Sequence, residues 1–201
     1  MYGVLAESIT VPNDRSWVIF KLREAARWHD GQLVTAEDLI WSFKFFLTKG
    51  HPYYRFYYGN VSKVEKLDDR TVKFSFKPGE NRELPLILGQ LQVLPKHYWV
   101  KRDLTKTTLT PPLGSGPYKI KSFEPNRSII YERVKDYWGS KVPVNKGRHN
   151  FDQIVYEYFR DGTVALEAFK AGRFDFRQEN SSKAWAIGYD VPAIAQGSLQ
   201  K

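Results

Sequence analysis

Apolar and polar residues alternate from Trp17 to Arg23, with Val18, Phe20 and Leu22 on one face and Trp17, Ile19 and Lys21 on the other. A period of two predicts a strand, and the turn at His29-Asp30-Gly31 ends it. The period then changes. Leu39, Ile40, Phe43, Phe46 and Leu47 recur at helical spacing, behind Thr35 and Asp38 in the S/T-x-x-D/E order of a capping box. In that motif the hydroxyl accepts an orphan backbone N–H while the carboxylate reaches back. Gly50 and Pro52 stop the run.

Two more strands are expected at Val61 to Leu67 and Thr71 to Lys77, paired as an antiparallel meander across Asp68-Asp69-Arg70. From Leu84 to Val100, two short helical segments broken near Gly89 and Pro95 carry enough leucine and aromatic residues to cover one face of that sheet. Tyr118 to Phe123 and Ser128 to Val134 read as a hairpin around Pro125-Asn126. Ile154 to Phe159 is a strand, Thr163 to Ala171 a helix closed by Gly172, and Phe174 to Phe176 a short strand. Strand, helix and strand in so short a stretch predict a parallel pair with a right-handed crossover. After Gln178 the periodicity fades, and the end reads as truncated or loosely ordered. The fold class is therefore mixed α/β (α+β). A Thr/Pro-rich connector from Thr105 to Pro112 marks a boundary between lobes.

Length restricts this picture. At 201 residues the chain holds one good core, or a small domain plus part of another, since domains usually hold roughly 100–150 residues. The excess of 31 Lys and Arg over 22 Asp and Glu raises the question of nucleic acid. The bases are spread along the chain and interrupted by apolar and turn residues, so a solvated basic surface is the reading and no nucleic acid is expected. The chain contains no cysteine, which removes disulfides, thiolate nucleophiles and zinc–thiolate sites. Met1 to Glu7 has no basic segment followed by an apolar one, so any export signal is expected to be lost or to lie upstream. No run reaches the about 20 apolar residues that span a bilayer.

Catalytic motifs do not assemble. His29, His51, His97 and His149 lie far apart without the spacing of a metal-binding helix. Gly114-Ser115-Gly116 is followed by a strand pattern instead of a helix, so it reads as a tight turn and not as a phosphate cradle. No G-x-S-x-G elbow is present. Neither enzyme activity nor a cofactor is expected.

Two segments could contact a ligand. Pro52-Tyr53-Tyr54-Arg55-Phe56-Tyr57-Tyr58 follows a helix end and is expected to be a loop that stacks on a ligand, or else a roof over the helix. Gln178-Glu179-Asn180-Ser181-Ser182-Lys183-Ala184-Trp185 follows the predicted crossover, at the strand ends where open α/β sheets bind ligands. The other reading of this run is a solvated tail.

Several tracts carry a family resemblance in order along the chain. They are Phe20-Lys21-Leu22-Arg23, Trp28-His29-Asp30-Gly31, Thr35-Ala36-Glu37-Asp38, Leu94-Pro95-Lys96-His97-Tyr98, Gly114-Ser115-Gly116-Pro117-Tyr118 and Tyr131 to Gly139. Together they resemble the bacterial extracellular solute-binding proteins, family 5, which serve peptide ABC transporters. Tyr156 to Asp161, Thr163 to Gly172 and Asp175-Phe176-Arg177 look like the YejA branch, whose members are similar to receptors for oligopeptides and peptide-like antibiotics such as microcin C.

The resemblance implies an incomplete lobe of a class II periplasmic binding protein. Residues 1–110 would be its small α+β domain, 111–177 part of the main α/β domain, and 178–201 a segment leading toward the missing second lobe. It implies a periplasmic receptor for a peptide or peptide-like ligand, with a membrane permease as partner. By position, Gln178, Glu179 and Asn180 resemble ligand-facing residues and Tyr53 an aromatic lining the cleft; Trp185 completes the second candidate segment. The competing reading is a protein-interaction or chaperone-like module that uses its aromatic segments.

Overall fold

A computed structural model of the chain describes residues 3–79 and 82–200. The chain divides into two units, Met1–Ile120 with Glu132–Gln153, and Lys121–Tyr131 with Ile154–Lys201. This partition by compactness differs from the lobe-based division 1–110, 111–177 and 178–201.

The first unit is built on a four-stranded antiparallel sheet of β1 (Ala6–Thr10), β2 (Trp17–Leu22), β3 (Val61–Lys66) and β4 (Thr71–Phe76), in the order β1-β2-β4-β3. Register explains its core. Val18 lies opposite Phe74 and Phe20 opposite Val72, so the apolar faces of two alternating strands coincide. Phe20 and Phe74 meet edge to face at 6.1 Å. Helix α1 (Ala36–Lys49) lays Leu39, Phe43 and Phe46 inward at i, i+4 and i+7, and Phe43 meets Phe74 at 5.3 Å. Each such ring or leucine, fully buried, contributes about 1.5–3 kcal/mol.

The capping box forms as predicted: Thr35 accepts from the Asp38 N–H, and the Asp38 carboxylate accepts from the Thr35 N–H at 2.9 Å. Asp38 does more than cap. Only 3 % exposed, it also accepts from the Lys96 N–H at 2.8 Å and the Trp28 indole at 3.4 Å. One carboxylate thus joins the start of α1 to α4 (Lys96–Trp99) and to the turn after β2. With α3 (Leu84–Leu88), α4 supplies the two expected short helices, and Leu84 and Leu88 enter the core.

Two expectations for this unit change. Strand β1 has no counterpart in the sequence reading; it is an edge strand whose residues are mostly exposed, so burial imposes no alternation on them. The aromatic segment after α1 is a helix, α2 (Pro52–Tyr58), where a loop was expected. Helix α1 ends at Gly50, and Pro52 follows at the first helical turn of α2, a position at which proline needs no N–H partner.

The strands β5 (Tyr118–Glu124), β6 (Ser128–Arg133) and β7 (Gln153–Glu157) form a second sheet in that order. The hairpin expected around Pro125-Asn126 joins β5 to β6: Arg127 donates to the Glu124 carbonyl at 3.0 Å, and Asn126 takes a φ of 60°. The division between units falls within these three strands.

In the second unit, α5 (Gly162–Lys170) starts at Asp161, whose carboxylate accepts from the Thr163 and Val164 N–H groups, both at 2.9 Å. It ends in a Schellman motif. Gly172, at φ 70°, donates to Phe169 O, and Arg173 donates to Ala168 O. The predicted strand at Phe174 to Phe176 is absent, and no parallel crossover pair forms there. The Schellman turn consumes the backbone groups at this point and redirects the chain into an irregular segment. Leu166, Phe169 and Tyr189 make a small core with Phe174 and Leu199 packed against it.

Candidate functional site

Helix α2 sorts its rings by helical spacing. Tyr54 and Tyr58, one turn apart, face inward: Tyr54 stacks on Phe46 at 4.5 Å, and Tyr58, 4 % exposed, lies 5.9 Å from Phe43. Tyr53 and Tyr57, also one turn apart, are 4.3 Å from each other and remain 50 % and 37 % exposed. The inward pair therefore roofs α1, one of the two readings expected, while Tyr53 and Tyr57 stay accessible. Burial, reinforced by Tyr53 and Tyr54, pushes the Tyr58 phenol up to about 12. The outward pair offers aromatic faces with hydroxyls at their edge, suited to stacking and hydrogen bonding at once.

In the second unit, residues 178–180 alternate. Gln178 and Asn180 are exposed, with Gln178 Nε2 and Asn180 Oδ1 at 3.5 Å. Glu179 turns inward, its side chain only 6 % exposed beside the 15 % exposed side chain of Arg177. One oxygen of Glu179 accepts from Arg177 at 3.1 Å and from the Tyr189 hydroxyl at 3.0 Å; the other accepts from the Ser181 N–H at 2.8 Å. The Ser181 N–H holds the Glu179 carboxyl below the usual range; burial opposes this, and the Tyr189 and Arg177 hydrogen bonds reinforce it.

Ser181 then starts a single π turn, Ala184–Gly188, by accepting from the Ala184 and Trp185 N–H groups. The turn carries Trp185, 48 % exposed, with its ring 5.8 Å from Tyr189. Gln178, Glu179, Asn180 and Trp185 thus share one locality organised by Arg177 and Tyr189, while Tyr53 belongs to the first unit.

Arg177 and Tyr189 escaped the sequence reading. The Arg-x-Glu spacing at 177–179 was a visible local signal, but nothing in the sequence indicated that Tyr189 would complete it. Phe176 and Ile187, 80 % and 68 % exposed, add apolar surface to the same unit. The arrangement presents amide donors and acceptors at Gln178 and Asn180 and a half-exposed indole at Trp185. Its one carboxylate is committed to an arginine, and among the described residues no three His, Asp or Glu side chains form a group able to hold a metal ion.

A family model described as "Bacterial extracellular solute-binding proteins, family 5 Middle" matches residues 1–198. The chain is 45 % identical over 207 residues to the probable peptide-binding protein YejA of Agrobacterium fabrum, covering all of this chain and 34 % of that protein. It is 38 % identical over 209 residues to the peptidoglycan-binding protein YepA of the same organism, again covering 34 % of the relative. Among solved structures, the oligopeptide-binding protein AppA of Bacillus subtilis, in complex with a nonapeptide, superposes with a TM-score of 0.75 at 25 % identity, covering 92 % of this chain and 36 % of AppA. The chain spans about a third of the length of these relatives.

Proposed function

Because this chain belongs to the bacterial extracellular solute-binding proteins of family 5, we propose that it is part of a periplasmic receptor that captures peptides for an ABC importer and presents them to the membrane permease. The observation that carries this reading is the family match across residues 1–198, joined by 45 % identity to a protein named as a probable peptide-binding protein. No covalent chemistry is involved: the receptor closes on its ligand, delivers it and leaves it intact. The name of the second relative, a peptidoglycan-binding protein, favours a ligand class that includes peptide-like molecules.

Residues 1–110 form the small domain of the first lobe, 111–177 part of its main domain, and 178–201 the segment leading to the second lobe. Gln178 and Asn180 pair with the peptide main chain through their exposed amides, the mode that tolerates varied side chains. Trp185 and Tyr53 supply stacking surfaces. Glu179 acts through its neighbours: held by Arg177, Tyr189 and Ser181, it fixes the positions of Gln178 and Asn180.

Calorimetry of the longer parent protein against short peptides of diverse sequence tests this. Saturable binding, recovery of intact peptide, and a loss of at least tenfold in affinity for Gln178→Ala with Asn180→Ala are expected. No binding across the set, or cleaved peptide, would overturn the reading.

A further inference from the structure

The outward stripe of α1 and the segment after α4 enclose a groove of about 560 Å³ in the first unit, a volume within the roughly 300–1,000 Å³ of small-molecule sites. Its floor is aromatic. Trp41 and Phe45, one helical turn apart, stack at 5.3 Å with 21° between their planes, and both stay partly exposed. The rim is cationic: Lys44 and Lys49 from α1 face Lys101 and Arg102 from the opposite side, all four exposed.

The single carboxylate in the lining, Asp103, is already engaged by the Thr105 N–H at 3.0 Å and the Thr105 hydroxyl at 2.6 Å. Among the described residues, none of the ion pairs involves Lys44, Lys49 or Lys101. Arg102 is held in place over the Tyr98 ring at 3.9 Å and donates to the Tyr98 carbonyl at 2.8 Å, which leaves further guanidinium donors for another partner. Asp103 also attracts Lys49 and Lys106, but four cations against one carboxylate leave the lining with a net positive charge that favours an anion.

We propose that this groove binds a soluble amphiphilic anion, an organic phosphate or carboxylate whose flat apolar body rests on Trp41 and Phe45 while its oxyanion is held by Lys44, Lys101 and Arg102. Lysine ammonium groups on flexible stems can converge on one oxyanion, and the arginine adds a fixed fork. The aromatic floor distinguishes such a ligand from a simple ion, because the body and the charge must fit together. This site lies in the first unit and does not depend on the peptide reading.

Titration of the chain with 1-naphthyl phosphate, inorganic phosphate and 1-naphthol, followed by calorimetry and tryptophan fluorescence, tests the proposal. Saturable binding of 1-naphthyl phosphate is expected, at least tenfold tighter than either half-molecule and weakening as salt rises. Lys44→Ala with Lys101→Ala, both at exposed positions, should weaken it at least tenfold with an unchanged circular dichroism spectrum. Trp41→Phe should abolish most of the fluorescence change while the fold persists. Equal affinity for the double variant, equal affinity for inorganic phosphate, no saturable binding, or binding only to vesicles containing phosphatidylglycerol would each overturn it.

Discussion

His29 and Gly114 are bound to each other: the His29 N–H donates to the Gly114 carbonyl at 2.8 Å, and the His29 Nε2 lies 2.8 Å from the next glycine's carbonyl, Gly116 O. A carbonyl only accepts, so that ring nitrogen carries the proton. Ser115, between the two glycines, donates to the Arg27 carbonyl at 2.7 Å and receives the Trp138 indole N–H. The tract Arg27 to Gly31 and the tract Pro112 to Tyr118, remote in sequence, therefore form one clasp. Their shared appearance in the family resemblance has a structural reason, since each shapes the other.

The clasp leaves little room. A Cβ on Gly114 would sit 3.1 Å from His29 Cε1, tighter than ordinary contact. Gly114→Ala is expected to cost about 1–2 kcal/mol by crowding the ring, and His29→Ala about 1–2 kcal/mol by leaving the Gly116 carbonyl without its donor. The two should not add. With the ring gone the alanine methyl has space, so urea unfolding of the double variant should show a cost clearly below the sum. Additive costs would mean that the ring and the glycine do not constrain each other.

What could be read from the sequence follows the range of the interactions. The capping box at Thr35 and Asp38, the alternation in β2 and β4, and the glycine stop after α5 depend on neighbours a few residues away, and each formed where expected. Strand β1 left no trace because an edge strand whose residues are mostly exposed needs no apolar pattern. Pro52 read as the end of order, although the same residue is well placed to open α2. The strand expected at Phe174 to Phe176 rested on three residues, and the Schellman turn before it outweighed their propensity. In the candidate site, Gln178 and Asn180 were legible as members of a polar run after α5. The inward turn of Glu179 was not, because it depends on Tyr189, ten residues further on.

Asp38 links α1, α4 and the turn after β2 through backbone and indole N–H groups. Asp38→Ala leaves several buried donors unsatisfied and should destabilise by about 3 kcal/mol. Asp38→Asn keeps one acceptor oxygen and should lose about half as much. Denaturant midpoints measured at constant slope check both values; equal stability of all three proteins would remove Asp38 from its central place.

The first unit should also weaken in alkali. Tyr58 titrates near 12 in the fold because burial disfavours the phenolate, against about 10 in the unfolded chain. The raised folded value means that the native state retains the proton longer. Stability is therefore intact below pH 10 and falls between pH 10 and 12, by about 2–3 kcal/mol for this group. Tyr58→Phe cannot ionise and should flatten that part of the profile while changing stability at pH 7 little. A profile with the same alkaline slope in the variant would place the titration elsewhere.

Glu179 should give the second unit the opposite dependence, in acid. Its carboxyl is held below the usual range by the Ser181 N–H, with burial opposing and Tyr189 and Arg177 reinforcing. A depressed folded pKa stabilises the segment above the unfolded value of about 4.3 and loses that contribution as pH falls through the folded value. Order in residues 178–189 should therefore persist from pH 5 to 8 and decline below about 4. Hydrogen exchange, corrected for the intrinsic pH dependence of amide rates, should show this step in the native chain. Glu179→Gln carries no titrating proton and should remove the step, with exchange already somewhat faster at pH 7 because the charge-assisted bond from Arg177 is weakened. Arg177→Ala should speed exchange more, since it leaves an ionised carboxylate in a largely enclosed place without its cation. In the longer parent both variants should lower peptide affinity, because Gln178 and Asn180 lose their fixed positions. An acid step that survives in Glu179→Gln would show that another group orders the segment, and unchanged peptide affinity would separate this network from ligand recognition.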